Sequence, residues 1–278
     1  MDPIKGKTVV ITGASEGIGK SLAQEMAQQG ARIILLARSV DKIKLMEFDL
    51  IHKNYLAEAF PLDLTSDESI RETFAKILKK YSQIDLLINN AAVGYFDQIA
   101  DTKEDAAKIM FQTNFFGPLK CVQQVLPGMR TRKSGGIVNI SSAISKHSSF
   151  NHGIYAASKS SLDRLSEALR IEEDKNNIKV YSIFVDRTKT KFKEHVLGSK
   201  ETLMLPFEDL NEADPDNVAQ KIIAAIENNK YIYHTSLKSK LFALGSGVFP
   251  LMVSKLFAQQ YQKIEDNKVR PERDTKKQ

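Results

Sequence analysis

The sequence predicts an α/β fold, a single doubly wound parallel sheet with helices on both faces and a C-terminal helical extension. Short apolar runs rich in β-branched residues alternate with segments of helical periodicity as far as residue 235. A glycine-rich turn joins the first apolar run to the first helical segment, and no repeat or low-complexity linker divides the chain. We therefore assign 1–236 to one domain, 237–265 to an amphipathic helical extension and 266–278 to a disordered basic tail.

The first half of the chain alternates regularly between the two kinds of element. Gly30 ends the first helical segment, as glycine commonly does. The third helical segment has Asp67 and Glu68 in its first turn and Lys79 and Lys80 in its last, which suits the helix dipole. We expect strands at 7–12, 32–37, 57–61 and 84–89, and helices at 17–29, 40–53 and 66–81.

The second half continues the alternation with longer helices. Pro118 falls inside the first of them and lacks the N–H that a helix interior needs, so it should interrupt or bend that helix. Parallel strands joined by helices are covered on both faces, which explains why the apolar runs are continuous. We expect helices at 102–132, 152–174 and 216–228, and strands at 137–141, 179–185 and 231–235.

The net charge of +6 lies entirely in the last part of the chain. From residue 230 onward there are ten Lys or Arg and four Asp or Glu, so the first 229 residues balance at 30 against 30. A charge-balanced main domain argues against a nucleic-acid partner. The histidines lack ligand spacing, so no metal site is expected. The single cysteine, Cys121, fits a reducing compartment, and with no signal peptide we expect a cytoplasmic protein.

Tyr155 and Lys159 stand one helical turn apart and therefore share a helix face. A tyrosine with its ordinary pKa of about 10 is a poor base at neutral pH. A nearby ammonium favours the phenolate and should lower the pKa of Tyr155. The pair can then exchange a proton with an alcohol or carbonyl oxygen.

Three further motifs follow apolar runs in the order that such a base requires. They are the glycine-rich stretch at 12–19, the Asn-Asn-Ala-Ala stretch at 89–92 and the Asn-Ile-Ser-Ser stretch at 139–142. Together with Asn114 and the Tyr155–Lys159 pair, they resemble the short-chain dehydrogenase/reductase family over residues 5–235. The resemblance implies a Rossmann-like sheet and the interconversion of a carbonyl and a secondary alcohol with a nicotinamide cofactor. It also implies a homodimer or homotetramer formed through the helices that carry Asn114 and Tyr155.

The family resemblance assigns the catalytic set Asn114, Ser142, Tyr155 and Lys159. Tyr155 would donate the proton, Ser142 would bond the same substrate oxygen, and Lys159 would hold the nicotinamide ribose. Asn114 would hold a water that links the lysine to solvent. Stabilising the developing alkoxide in this way lowers the barrier to hydride transfer.

The cofactor prediction rests on the glycine spacing and on the end of the second strand. Gly13 permits the sharp turn, and the next glycines let the backbone approach a pyrophosphate. Arg38 stands where NAD-preferring enzymes place an acid, which favours NADP(H), although Glu16 would oppose a 2′-phosphate. The expected cofactor residues are Gly13, Ser15, Gly17, Ile18, Gly19, Arg38, Ser39, Asp63, Leu64, Asn90, Ala91, Tyr155, Lys159, Thr188 and Thr190.

Val185 and Asp186 depart from the family, which usually has a Pro-Gly pair at this point. Aspartate removes conformational freedom and adds charge beside the cofactor. The departure leaves open a second function, a nucleotide-binding redox sensor with little turnover.

The extension at 237–265 carries apolar residues at helical spacing, flanked by lysines. Gly245, Gly247 and Pro250 should split it into two short helices. Two interpretations remain open: the helices cover the substrate cleft or a second subunit, or they lie on an anionic membrane surface. The second would suit a lipophilic substrate and resembles reductases of long-chain ketones such as 3-ketosphinganine.

Overall fold

The computed structural model describes residues 4–198 and 212–269. Seven parallel strands form one sheet in the order β3-β2-β1-β4-β6-β7-β9, so the chain winds outward from β1 in one direction and then in the other. The doubly wound fold is confirmed. The strands are β1 Thr8–Thr12, β2 Arg32–Ala37, β3 Ala57–Pro61, β4 Leu86–Asn89, β5 Tyr95–Phe96, β6 Gly135–Ser142, β7 Ile178–Val185, β8 Leu197–Gly198 and β9 Ile232–His234.

The helices connect these strands and cover both faces of the sheet. Sequence alone did not predict β5 and β8, which pair with each other outside the main sheet. The helices are α1 Gly17–Gln28, α2 Val40–His52, α3 Asp67–Tyr81, α4 Glu104–Phe111, α5 Gly117–Arg132, α6 Gly153–Glu173, α7 Pro215–Glu227, α8 Leu237–Val248 and α9 Pro250–Val269.

Two hydrophobic cores lie on opposite faces of the sheet because side chains alternate along each strand. Val9 and Ile11 of β1 pack with Leu22 of α1 and with α2 and α7. Val10 points the other way and packs in the same core as Phe74 of α3, together with α5 and α6. Strands buried on both faces explain why the apolar runs in the sequence do not alternate.

The register of the central strands brings their carboxyl ends to one edge of the sheet. Asn89 of β4 lies opposite Asn139 of β6, and its side-chain amide donates to the Asn139 side-chain oxygen over 2.8 Å. Ser142, the last residue of β6, lies opposite Val185 at the end of β7. In open α/β sheets this edge is where ligands bind.

The predicted helix at 102–132 is broken into two. Residues 112–116 form a π-helical turn between α4 and α5, and Gly117 N–H donates to the carbonyl of Gln112. Pro118 lies in the first turn of α5, where its missing N–H leaves no gap in the ladder of that helix. The helix is therefore interrupted at residues 112–116, immediately before Pro118 rather than at it.

The C-terminal extension forms two helices, as expected, and the break is at Phe249 and Pro250. Gly245 and Gly247 stay inside α8, and α9 continues to Val269, past the expected end of the extension at 265. Within 4–198 and 212–269, no single helix is long and apolar enough to cross a membrane. The segments Leu237–Val248 and Pro250–Gln259 pass that test only as a pair, and they are bent by 116°.

The first prediction concerns packing against β2. Leu35 is fully buried, whereas Leu45 of α2 is 63% exposed. Leu35→Ala should lower the free energy of unfolding by about 2–5 kcal/mol, because it removes buried methyl groups and leaves a cavity. The matched change Leu45→Ala should stay within about 0.5 kcal/mol. Urea denaturation measures both variants. Equal losses in the free energy of unfolding would contradict the assigned core.

Candidate active site

A cavity of about 1250 Å³ opens at the carboxyl edge of the sheet. Its wall runs from the turn after β1 and the residues after β2, past β6 and α6, to α8 and α9. Fifteen of the residues predicted from sequence line it. They are Gly13, Ser15, Gly17, Ile18, Arg38, Ser39, Asp63, Leu64, Asn90, Ala91, Ser142, Tyr155, Lys159, Thr188 and Thr190.

The turn after β1 needs glycine for two different reasons. Gly13 has a φ of +66°, and a Cβ there would lie 2.8 Å from Cα of Ala91. Gly19 lies on the inner side of α1, where a Cβ would clash with the carbonyl oxygen of Gly13. Gly19 is not part of the cavity wall; it lets α1 pack closely on the turn, and its contact with the cofactor stays a prediction.

The first turn of α1 suits a pyrophosphate. Glu16 precedes the helix without accepting a side-chain cap bond, and no acidic residue lies in the first turn. Gly17 and Ile18 line the cavity at this point. The N–H groups that begin a helix lack intrahelical partners and favour an anion. These residues therefore fit a dinucleotide.

Thr12 is a structural residue of this site that the sequence did not reveal. Its hydroxyl accepts hydrogen bonds from the backbone N–H groups of Asn90, over 3.0 Å, and Ala91, over 3.1 Å. Asn90 in turn donates its amide to the carbonyls of Thr12 and Gly13, over 3.0 and 3.2 Å. This exchange fixes the turn after β1 against the end of β4.

A group of cationic and polar side chains lines the cavity beyond β2. Arg38 and Ser39 lie there as predicted, and Lys42 of α2 joins them. Lys42 also forms an ion pair with Glu16 over 3.0 Å, and His195 approaches the other Glu16 oxygen at 3.0 Å. The carboxylate that would oppose a 2′-phosphate is therefore already paired. Sequence reasoning missed Lys42 because the pairing joins residues from two separate elements.

Asp63 and Leu64 lie in the wall between Arg38 and the central strands, in a turn that precedes α3. Asp63 accepts hydrogen bonds at Oδ1 from the N–H and hydroxyl of Thr65, over 2.9 and 2.7 Å. Its own N–H donates to the hydroxyl of Ser69 over 3.0 Å. The turn is therefore fixed by its own side chains.

Three catalytic candidates converge at the end of β6. Ser142 ends the strand, and the hydroxyl of Tyr155 forms a hydrogen bond with it. Lys159 lies one turn further along α6, and its ammonium donates to the carbonyl of Ile140 over 2.9 Å. The ring of Tyr155 packs against Phe96 and Phe192, with centroids 5.7 and 5.9 Å apart. Their contacts hold the phenol in an apolar pocket.

Burial controls the protonation of this pair. It raises the pKa of Tyr155 to about 12, and the hydrogen bond with Ser142 lowers that pKa only in part. Burial also lowers the pKa of Lys159 to about 8, although the Asp163 carboxylate acts in the opposite direction. The pKa of Tyr155 is therefore raised, opposite to the direction expected from the sequence, because burial disfavours the phenolate.

Asn114 is buried and lies outside the cavity wall, and its side chain is bonded within the protein. Its amide oxygen accepts from Val93 N–H over 2.9 Å, and its amide nitrogen donates to the Val93 carbonyl and the Ser158 hydroxyl. It joins the π-helical turn to α6. The helical donor to the Asn114 carbonyl would be residue 118, and Pro118 has no N–H. The backbone carbonyl is thus the group that remains for a water.

The departure at Val185 and Asp186 introduces no strain. Asp186 has no positive φ, so aspartate fits the backbone where the family has glycine. Its N–H donates to the hydroxyl of Thr235 over 3.1 Å, and its carboxylate accepts from the hydroxyl of Ser236. Ser236 also caps α8 by accepting from Ser239 N–H over 3.0 Å. Asp186 therefore ties β7 to the start of the C-terminal helices.

Apolar side chains line the cavity near Tyr155 and along the C-terminal helices. Val93, Ile144 and Phe192 line it near Tyr155, and Phe242 and Phe257 line it from the C-terminal helices. His147 stacks on Phe257 and meets Phe242 edge to face, and burial lowers its pKa to about 4, so the ring is neutral.

Comparisons with known proteins agree with this geometry. Residues 7–200 match the family model of short chain dehydrogenases. A Danio rerio protein named dehydrogenase/reductase SDR family member 7B is 34% identical over 82% of this chain and 76% of its own. An NADP-dependent 3-hydroxy acid dehydrogenase from Schizosaccharomyces pombe is 30% identical over 84% of this chain and 91% of its own.

Solved structures show the same fold. A short-chain dehydrogenase from Streptomyces avermitilis superposes with a TM-score of 0.79 at 28% identity, covering 94% of this chain and 97% of its own. Structures with this fold include complexes with NADP and with NAD, so the fold does not decide the cofactor. Sequence, sheet topology and site agree: the chain is a member of the short-chain dehydrogenase/reductase family of oxidoreductases.

Proposed function

We propose that the protein is an NADP(H)-dependent oxidoreductase that interconverts a carbonyl and a secondary alcohol, with Tyr155 as general acid and base. The observation that carries this proposal is the convergence of Ser142, Tyr155 and Lys159 in the same cavity as the glycine turn. Ser142 is held by β6, and Tyr155 and Lys159 are held one turn apart by α6. A carbonyl oxygen placed there would meet two hydroxyl donors.

The residues divide the chemistry between them. NADPH, when bound, supplies the hydride that reduces the carbonyl carbon. Tyr155 gives its phenolic proton to the carbonyl oxygen as negative charge develops on it, and Ser142 donates a hydrogen bond to the same oxygen. Lys159 carries a positive charge below a pH of about 8 and favours the phenolate that remains.

The pKa of Tyr155 favours the direction of reduction. A phenol with a pKa of about 12 stays protonated at neutral pH and is ready to donate. The reverse reaction needs the phenolate, which burial makes costly. We infer that carbonyl reduction is the faster direction near neutral pH.

Arg38, Ser39 and Lys42 support the choice of NADP(H). Two cations line the cavity beyond β2, and the Glu16 carboxylate is paired with Lys42. Guanidinium and ammonium groups suit the 2′-phosphate that distinguishes NADP from NAD. The S. pombe relative whose name includes NADP dependence agrees with this assignment.

A nucleotide-binding sensor with little turnover is the competing function, and Asp186 is the residue that favours it. The carboxylate of Asp186 is, however, bonded by Ser236 and is held toward α8. The apolar wall formed by Phe192, Phe242 and Phe257 also suits a substrate rather than a sensor without one. We infer a ketone with a long apolar chain as the substrate class.

The second prediction tests the proton donor. Tyr155→Phe keeps the ring and removes the proton, so carbonyl reduction should fall by about a hundredfold or more while the dissociation constant for NADPH stays nearly unchanged. Tyr233→Phe, a change of the same chemistry on β9 outside the cavity wall, should leave the rate unchanged. NADPH oxidation with a panel of ketones measures both variants. Residual activity close to that of the unmodified protein would exclude Tyr155 as the acid.

The third prediction tests the cofactor. Arg38→Ala and Lys42→Ala should each raise the dissociation constant for NADPH about ten- to hundredfold, because each removes a charge-assisted contact, and should change that for NADH much less. Lys44→Ala is the matched control, since Lys44 is on the same helix, pairs with Glu47 and lies outside the cavity wall. Fluorescence titration gives the constants. Equal losses for NADH and NADPH would contradict the 2′-phosphate assignment.

The fourth prediction concerns pH. The Lys159 cation is present below its pKa of about 8 and is lost above it, whereas Tyr155 keeps its proton up to about 12. The kcat/KM for NADPH, which reports the free enzyme, should therefore fall as pH rises through about 8. Lys159→Arg should move this fall in kcat/KM to higher pH, because arginine keeps its charge. A profile that stays flat well above that pH would rule out Lys159 as the titrating group.

A further inference from the structure

The outer side of the C-terminal helices carries an apolar surface that the fold does not use. Besides Leu237, five residues of α8, α9 and the turn between them are 55–78% exposed and lie outside the cavity wall. We call them the docking face: Leu244, Val248, Phe249, Leu251 and Met252. Exposed apolar clusters of this kind mark interaction sites.

The helices are held in place by their other side. Phe242 and Phe257 pack around His147, and Val253 is 7% exposed. Ser236 at the start of α8 is bonded to Asp186 of the main domain. Since these contacts already anchor the helices, the docking face is free to serve an external partner.

The charge around the docking face indicates what that partner is. Residues 237–259 contain three exposed lysines, at positions 238, 240 and 255, and no Asp or Glu. The other helix with prominent exposed apolar side chains, α2, differs in this respect. Leu45 and Phe48 are 63% and 64% exposed there, but residues 40–56 contain three lysines and three acidic residues. A cationic apolar face fits an anionic lipid surface.

The shape of the pair suits a position on a membrane surface rather than across it. A spanning helix needs about 20 apolar residues in a straight run. Here α8 has 12 residues, and the two apolar segments meet at 116°. Two short helices at such an angle can both lie in the interface with their apolar sides down.

The cavity opens beside this surface. Leu241 and Leu256 line the cavity and are also 59% and 50% exposed, so they stand at its rim. Lys238 lines the cavity as well. The rim is therefore continuous with the docking face, and a molecule leaving a lipid layer at that point would meet apolar side chains along its path to Tyr155.

We propose that the docking face binds an anionic membrane surface and that a lipophilic carbonyl substrate enters the cavity from the lipid between α8 and α9. Docking depends only on the apolar face and its lysines. Substrate delivery rests in addition on the proposed carbonyl reductase activity.

The fifth prediction tests docking without any reaction. The full chain should sediment with vesicles of phosphatidylcholine and phosphatidylserine at low salt, and less at high salt because the lysine contribution is screened. The double change Leu244→Glu with Leu251→Glu should lower the vesicle partition coefficient about tenfold or more, since it places carboxylates against lipid. The matched double change Leu45→Glu with Phe48→Glu on α2 should not alter it.

Three outcomes would overturn docking. One is an unmodified chain that stays in the supernatant at low salt, and another is an equal loss for the α2 control. The third is a dimer in light scattering that the Leu244→Glu, Leu251→Glu variant converts to monomer, because the occupant is then a second copy. Turnover of a water-soluble ketone shows that the variant is folded, since neither residue lines the cavity.

Delivery is tested with a long-chain ketone dissolved in the same vesicles. The docking variant should show a raised apparent KM for that ketone and an unchanged KM for the water-soluble one. If the docking variant and the unmodified protein had equal KM values for the long-chain ketone, delivery would be overturned and docking would stand. Vesicle binding with no turnover of either ketone would instead contradict the proposed reductase activity, so the two failures are distinguishable.

Discussion

The close contact between the turn after β1 and the end of β4 is the constraint on which the site depends. Gly13 and Gly19 bring α1 onto the turn at a distance that a side chain would prevent, and Thr12 and Asn90 exchange hydrogen bonds across the two strands. Because the strands are parallel, the residues that follow them all lie at the same edge of the sheet. The pyrophosphate end of the cavity is therefore fixed by the backbone, and the catalytic residues approach it from β6 and α6.

Desolvation then determines what the catalytic residues can do. The same apolar surroundings that position Tyr155 keep its proton on the phenol, and they bring the pKa of Lys159 down to about 8. Burial thus disfavours both the phenolate form of Tyr155 and the ammonium form of Lys159.

Local patterns in the sequence were sufficient for the sheet, the helix order and the glycine turn, because β-branched runs, capping and turn chemistry act over short distances. They did not reveal what side chains from separate elements do to one another. The pairing of Lys42 with Glu16, the internal use of the Asn114 amide and the bond from Ser236 to Asp186 each join distant positions. The expected pKa of Tyr155 failed for the same reason, since burial is a tertiary property.

The C-terminal helices combine the two interpretations that the sequence left open. Their inner side covers the cavity, through Phe242 and Phe257, and their outer side is apolar and cationic. A cover over the cavity and the proposed docking face are therefore compatible, because they use different faces of the same helices. Asp186 contacts both the cavity and the start of α8, so whatever moves these helices also acts next to the catalytic residues.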